Sequence, residues 1–284
     1  MIRGILHSIS SISLYDTVTS HGWVNLAPWK WDVNKNELSR PERLKTGNLV
    51  RVSVTQLDSK SFSTCIYIDK LDEQDFERIQ TIVQRWLSID WDPKPAIRMI
   101  SKLDSRVADF INDGGGRFLR CSTFYEDFIK TVCTINTNWA STVRMVSALV
   151  ETLGDRTFPT PAEILTCGEE FLRERIKLGF RAKVVIDTTV ELIRKGYIDD
   201  KGNLIHTNIT FDNLIELRGI GQYSASHIMM LCHDFSHVPI DSEVTSYCKQ
   251  HYGIDSKDIE PFFCEWGKYM ALGYKLNQIL LDDN

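Results

Sequence analysis

Two stretches in the C-terminal third hold residues whose types and spacing suit chemistry. Residues 217–225 read Leu-Arg-Gly-Ile-Gly-Gln-Tyr-Ser-Ala, and residues 238–244 read Val-Pro-Ile-Asp-Ser-Glu-Val. Gly219 and Gly221 let the backbone turn sharply and approach a ligand closely. Amides at the start of the helix that follows form an anion site, and a phosphate is its natural occupant. Asp241 brings a carboxylate to the start of the next helix. Such a group stabilises positive charge on a reacting carbon and orients or deprotonates a water. It also serves as an ordinary helix cap.

Elements must hold these groups. The spacing predicts a short helix over 210–217, with Thr210 or Asp212 as cap and Leu214, Ile215 and Leu217 as apolar contacts. A second short helix follows over 224–232. At the other end of the chain, Asn48 to Thr55 and Ser61 to Ile68 alternate apolar and polar residues, many of them β-branched. They read as strands joined by a turn over 57–60. From Asp72 the period changes to that of a helix, with Phe76, Ile79, Ile82, Val83 and Trp86 on one face. Short helices with short polar connections fill most of the rest. The expected organisation is an N-terminal β domain over 1–75 and a helical body over 76–284 in two lobes.

Composition sets bounds. A soluble globular chain is indicated by 284 residues, 43% hydrophobic and 25% charged. No apolar run approaches the roughly 20 residues of a membrane helix. The first residues lack a signal-peptide pattern, so the expected location is cytoplasmic, nucleoid-associated, or nuclear in a nucleated cell. The seven cysteines include no C-x-x-C pair, which argues against a zinc ribbon and for buried, reduced thiols. A net charge of −5 is not that of a general polyanion binder. Locally, however, Phe171 to Gly196 holds seven basic residues against three acids. That stretch reads either as a solvated helical face or as a track for phosphates.

The hairpin of 208–232 followed by the Pro-containing loop 238–244 resembles the helix–hairpin–helix DNA glycosylase superfamily. The chain is most similar to 3-methyladenine DNA glycosylase II and 8-oxoguanine DNA glycosylase. Leu119 to Asn138, Phe158 to Ala162 and Leu178 to Lys183 match in the same order, and the likeness runs from about Trp86 to Tyr274. It implies an α+β fold: a mainly helical two-lobed body with the hairpin, plus an N-terminal antiparallel β domain.

The same resemblance assigns roles. Asp241 becomes the catalytic carboxylate. Gly219, Ile220 and Gly221 grip a DNA phosphate. Asn136 fills the hole left by a flipped base, Phe180 wedges beside the opposite base, Arg181 is its polar partner, and Lys183 lies among the phosphate-tracking cations. Tyr223 occupies the place of the lysine that attacks the sugar in bifunctional relatives. A phenol cannot do that amine's Schiff-base chemistry, so the resemblance is to the monofunctional, alkylation-type enzymes. Tyr223, His227, Trp139 and Trp266 are candidates for the base pocket, where an aromatic wall attracts an electron-poor base. Core packing accounts for each aromatic equally simply.

The expected function is therefore hydrolysis of the N-glycosidic bond of a damaged, alkylated base in duplex DNA, by a monomer acting without a lyase step. An 8-oxoguanine-type or other modified-base glycosylase, a lyase using another amine such as Lys183, and a non-catalytic reader of damaged DNA stay open. No metal motif occurs. A monovalent cation at the hairpin is implied by the resemblance alone.

Overall fold

The computed structural model describes residues 1–205 and 209–282. The chain begins with β1 (Ile2–His7) and α1 (Leu14–Thr19), then β2 (Lys30–Asp32), β3 (Glu37–Arg43), β4 (Leu49–Asp58) and β5 (Ser61–Ile66). Helices follow: α2 (Glu73–Trp86), α3 (Lys94–Ile100), α4 (Ser105–Asn112), α5 (Phe124–Thr134), α6 (Trp139–Thr152), α7 (Pro161–Glu174) and α8 (Arg181–Arg194). The last are α9 (Phe211–Ile215), α10 (Gln222–Leu231), α11 (Ser242–Tyr252), α12 (Ile259–Phe263) and α13 (Met270–Asp282). The fold is α+β, as expected.

The strands form one antiparallel sheet in the order β1-β5-β4-β3-β2. Both strands read from the sequence are present, as β4 and β5. β3 was not legible, because it carries Arg40, Pro41 and Glu42. Proline lacks the ladder N–H, so it belongs on edges. Here β2 pairs only with Glu37 to Ser39, and Pro41 pairs only with Arg51 of β4. Proline therefore stands where β3 is already an edge.

By compactness the chain divides into Met1–Asp92 with Asp113–His206, and Pro93–Asn112 with Thr207–Asn284. This differs from the expected boundary at 75/76. The reason is a buried polar seam between the sheet and α5. The Arg40 guanidinium donates to both Glu126 oxygens at 2.9 Å and pairs with Glu42 at 2.8 Å. Lys130 pairs with Glu126 at 2.9 Å, and Ser122 donates to Glu42. Burial opposes ionisation of Glu126, but the Arg40 and Lys130 cations outweigh it and lower its pKa to about 2. Trp29 meets Trp86 edge-on at 5.0 Å. A sheet tied to helices by fully buried charges is no separate domain, because removing either side would leave those charges unpaired.

The second unit holds α3, α4 and α9 to α13. Trp266, 6% exposed, lies directly on α13. A Cβ on Gly273 would come within 2.3 Å of the indole, so only glycine admits this approach.

Candidate functional site

The hairpin is α9, a turn, and α10. Of the expected span 208–232, residue 208 lies outside the described residues. α9 starts with a reciprocal capping box, Thr210 with Asn213. Gly219 has φ +84°, the left-handed region where glycine is favoured. Gly221 is the N-cap of α10 and provides no side chain to cover the first amides. No atom lies within 4 Å of a Cβ built there, so the approach to those amides is open. Ile220 is buried, so any ligand contact it makes is through its backbone. The carbonyls of Leu217 and Gly221 accept from Ile220 and Ala225 at 3.0 Å. Each of these carbonyls keeps a second lone pair.

On α10, Tyr223 is half-buried and His227 is buried, with ring centroids 6.1 Å apart. They share one face, as their spacing requires.

Asp241 is the N-cap of α11, and its carboxylate accepts from the Val244 amide at 2.8 Å. Burial raises its pKa and Glu243 adds to this, against the Val244 and Glu243 amides and the Lys275 cation. The side chain opens onto a groove of about 700 Å³ lined by Thr245, Ser246, Lys249 and Asp255 among others. Lys249 and Asp255 pair at 2.8 Å in that lining. One carboxylate oxygen thus caps the helix while the group keeps an elevated proton affinity, so the capping and catalytic readings coexist.

α13 lines up behind α11, and sequence reasoning missed its part. Gln278 accepts on Oε1 from Lys275 at 2.9 Å and from the Tyr274 hydroxyl at 3.3 Å, and its amide reaches Glu243 at 3.5 Å. Burial pushes the Tyr274 hydroxyl far up, and the negative charges around it, Glu243 and Asp241 included, add to the rise. Lys275 and Gln278 stand more than thirty residues from Asp241, and no spacing rule links such a pair. Trp266 belongs to this unit as well, packed on Gly273.

The remaining expected residues lie in the first unit. Asn136 has φ +48° in the turn between α5 and α6 and is exposed. Asn138 caps α6, accepting from the Ser141 amide at 2.9 Å. Trp139 is 43% exposed, opens α6 close to the Asn136 turn, and lies over Gly22. Phe180 precedes α8 and is 52% exposed.

Arg181 departs from expectation. It is 7% exposed, and its guanidinium donates to the carbonyls of Ile135, Asn136 and Leu178. The side chain is therefore buried beneath the exposed face of this stretch. Within Phe171 to Gly196, Arg173, Lys177, Lys183 and Arg194 pair with Glu169, Glu174, Asp187 and Glu191 on the surface. Such pairs are worth about 0–1 kcal/mol, so they do not withhold these cations from a phosphate.

Among the described residues, no three His, Cys, Asp or Glu side chains gather to hold a metal. No helix among them is long and apolar enough to cross a membrane.

No family model matches the chain. Its sequence is 22% identical over 260 residues to an N-glycosylase/DNA lyase of Saccharomyces cerevisiae, covering 80% of this chain and 66% of the yeast protein, just under two thirds of its length. Its structure is similar to a 3-methyladenine DNA glycosylase from Archaeoglobus fulgidus, with TM-score 0.72 and 14% identity, over 100% of this chain and 99% of that one. It is also similar to the 8-oxoguanine glycosylase/lyase of Clostridium acetobutylicum, with TM-score 0.60 and 17% identity, over 89% and 99%. At these identities the likeness is one of fold: the chain has the architecture of the DNA glycosylases it resembles.

Proposed function

We propose that this chain is a DNA glycosylase of base excision repair. It extrudes a damaged base from duplex DNA and hydrolyses its N-glycosidic bond, with an alkylated purine as the leading substrate. The observation that carries the reading is Asp241: a half-buried carboxylate of raised pKa, opening onto a groove and following an uncovered glycine hairpin.

In the reaction the bond between C1′ and the base nitrogen breaks and the base leaves with the electron pair. Positive charge grows on the sugar, and ionised Asp241 stabilises it. A water then adds at C1′, and its proton passes to the carboxylate or to solvent. An alkylated purine already carries positive charge and leaves as a neutral base, so it needs little acid assistance. The open first amides of α10 suit a backbone phosphate. Asn136 and Phe180, both exposed, suit insertion into a duplex from which a base has been removed.

We infer that the reaction ends at the abasic site. Tyr223 holds the hairpin position, and its phenol forms no imine. The oxidised-base reading shares every element of this site except the choice of base. A monomer in the cytoplasm, on a nucleoid or in a nucleus, with a monovalent cation at the hairpin, belongs to the same reading.

The test is a single-turnover assay on duplexes carrying 3-methyladenine, 7-methylguanine, hypoxanthine or 8-oxoguanine, scored before and after alkali. Breaks that need alkali support hydrolysis and identify the base. Breaks without alkali, with borohydride trapping on abasic DNA, refute the monofunctional step, and Lys275 is then the first amine to replace.

A further inference from the structure

We infer that Arg181 is a positioning residue, a latch that holds the Asn136 turn and Phe180 as one unit. The inference rests on the DNA reading above and reassigns Arg181 from a DNA contact to the scaffold beneath two of them.

The sequence creates the need for such a latch. α5 ends at Thr134, and the carbonyls just past its end have no partner within the helix. α6 begins only after its cap at Asn138. Between them Asn136 adopts φ +48°, a conformation that asparagine tolerates better than most residues but that still needs support from its surroundings. The support comes from α8. Arg181 Nε donates to the Ile135 carbonyl at 2.8 Å, and Nη2 donates to Ile135 and, at 3.0 Å, to Asn136. Nη1 reaches back to Leu178 at 3.4 Å, on the turn that leads into Phe180. The guanidinium carbon lies 4.5 Å from the Phe180 ring centroid. One planar cation therefore touches both turns.

Its charge has no other use. Among the described residues no carboxylate pairs with Arg181, and burial lowers its pKa. A buried guanidinium held only by carbonyls is costly, and here that cost is met by fixing two exposed side chains against each other. Lysine could not do the same, because its ammonium is a compact point donor and lacks the planar fork.

The latch has a measurable signature. Asn136 and Phe180 belong to separate turns, so without it their replacement effects on DNA binding should multiply independently. With it they are coupled. Asn136→Gly and Phe180→Leu alter exposed side chains, and glycine takes the φ of +48° without strain. The readout is preference for a duplex with a tetrahydrofuran abasic analogue over an intact duplex, which requires no knowledge of the excised base. Each single variant should lower that preference. The double variant should fall short of the product of the singles by roughly tenfold, within the range for residues joined through a shared partner. In an Arg181→Lys background the coupling should vanish, while in Arg181→Gln the salt dependence of binding stays at the wild-type slope. Effects that multiply independently in the native background overturn the latch. So does a slope that falls by about one in Arg181→Gln, which removes the charge, the mark of a lost phosphate contact. A wild-type chain without preference for the abasic duplex refutes the DNA reading itself, and the latch with it.

Discussion

Replacing Asp241 separates its helix cap from its proposed catalytic role. Asn at this position keeps an oxygen to accept from the Val244 amide, now at 2.8 Å, and asparagine caps helices about as well as aspartate. Ala removes the cap, at about 1 kcal/mol, and for a chain of this size that lowers Tm by about 2 °C. Both remove the charge. Loss of one preorganised electrostatic group at a charged transition state costs about 10²–10³ in rate, and both variants should lose that much. The sign of the stability change in Asp241→Asn is also fixed. The folded-state pKa is raised, chiefly by burial. The folded state thus binds the proton more tightly, and the associated stability is lost as pH rises through the folded pKa. At neutral pH the ionised group is a burden, so Asp241→Asn should melt no lower than wild type while Asp241→Ala melts lower. The assays are thermal melts and single-turnover excision with saturating enzyme. Retained excision in Asp241→Asn, with loss only in Asp241→Ala, would reduce Asp241 to a cap and refute the catalytic argument.

The same raised pKa predicts a pH profile. Catalysis needs the ionised carboxylate, so excision should decline on the acid side at a higher pH than an ordinary aspartate would dictate, read from single-turnover rates. Tyr223→Lys should bring an amine to the hairpin and yield a borohydride-trapped complex on abasic DNA that the wild type lacks; no trapping would mean that position 223 does not face the sugar. Gly273→Ala would push a Cβ to within 2.3 Å of the Trp266 indole, an overpacking that costs about 1–3 kcal/mol, visible as a lower denaturant midpoint. Glu126→Ala leaves Arg40 and Lys130 buried without their shared partner and should cost about 3–5 kcal/mol by the same measurement.

What the sequence disclosed follows from what local rules encode. β4 and β5 announced themselves by alternation and β-branched residues, and the hairpin by its glycines and capping residues. β3 did not, because Arg40 and Glu42 look like surface residues until Glu126 and Lys130 are known to face them across the sheet. The division by compactness departs from the expected boundary for the same reason. A change of period at Asp72 marks where strands give way to helices, but whether sheet and helices share a core is decided by pairs eighty or more residues apart, Arg40 with Glu126 at |i−j| of 86 and Ser122 with Glu42 at 80.

The candidate site divides along the same line. Residue type and order were enough to place Asp241 at a helix start and Gly219 and Gly221 in a turn, since a short segment defines each of these by itself. They were not enough for Arg181 or Lys275, whose roles depend on what lies opposite. An arginine beside an aromatic in a basic stretch is the composition of a phosphate contact, and the expectation was reasonable on charge alone. In the structure the guanidinium is buried and donates to the carbonyls of Ile135 and Asn136, and the role proposed for it is to hold that turn. Lys275 follows the opposite course, an unremarked lysine on the last helix that its hydrogen bond to Gln278 brings into the polar cluster behind Asp241. In both cases the cation's chemistry was legible and its address was not, because an address is set by long-range packing, which single-sequence periodicity does not carry.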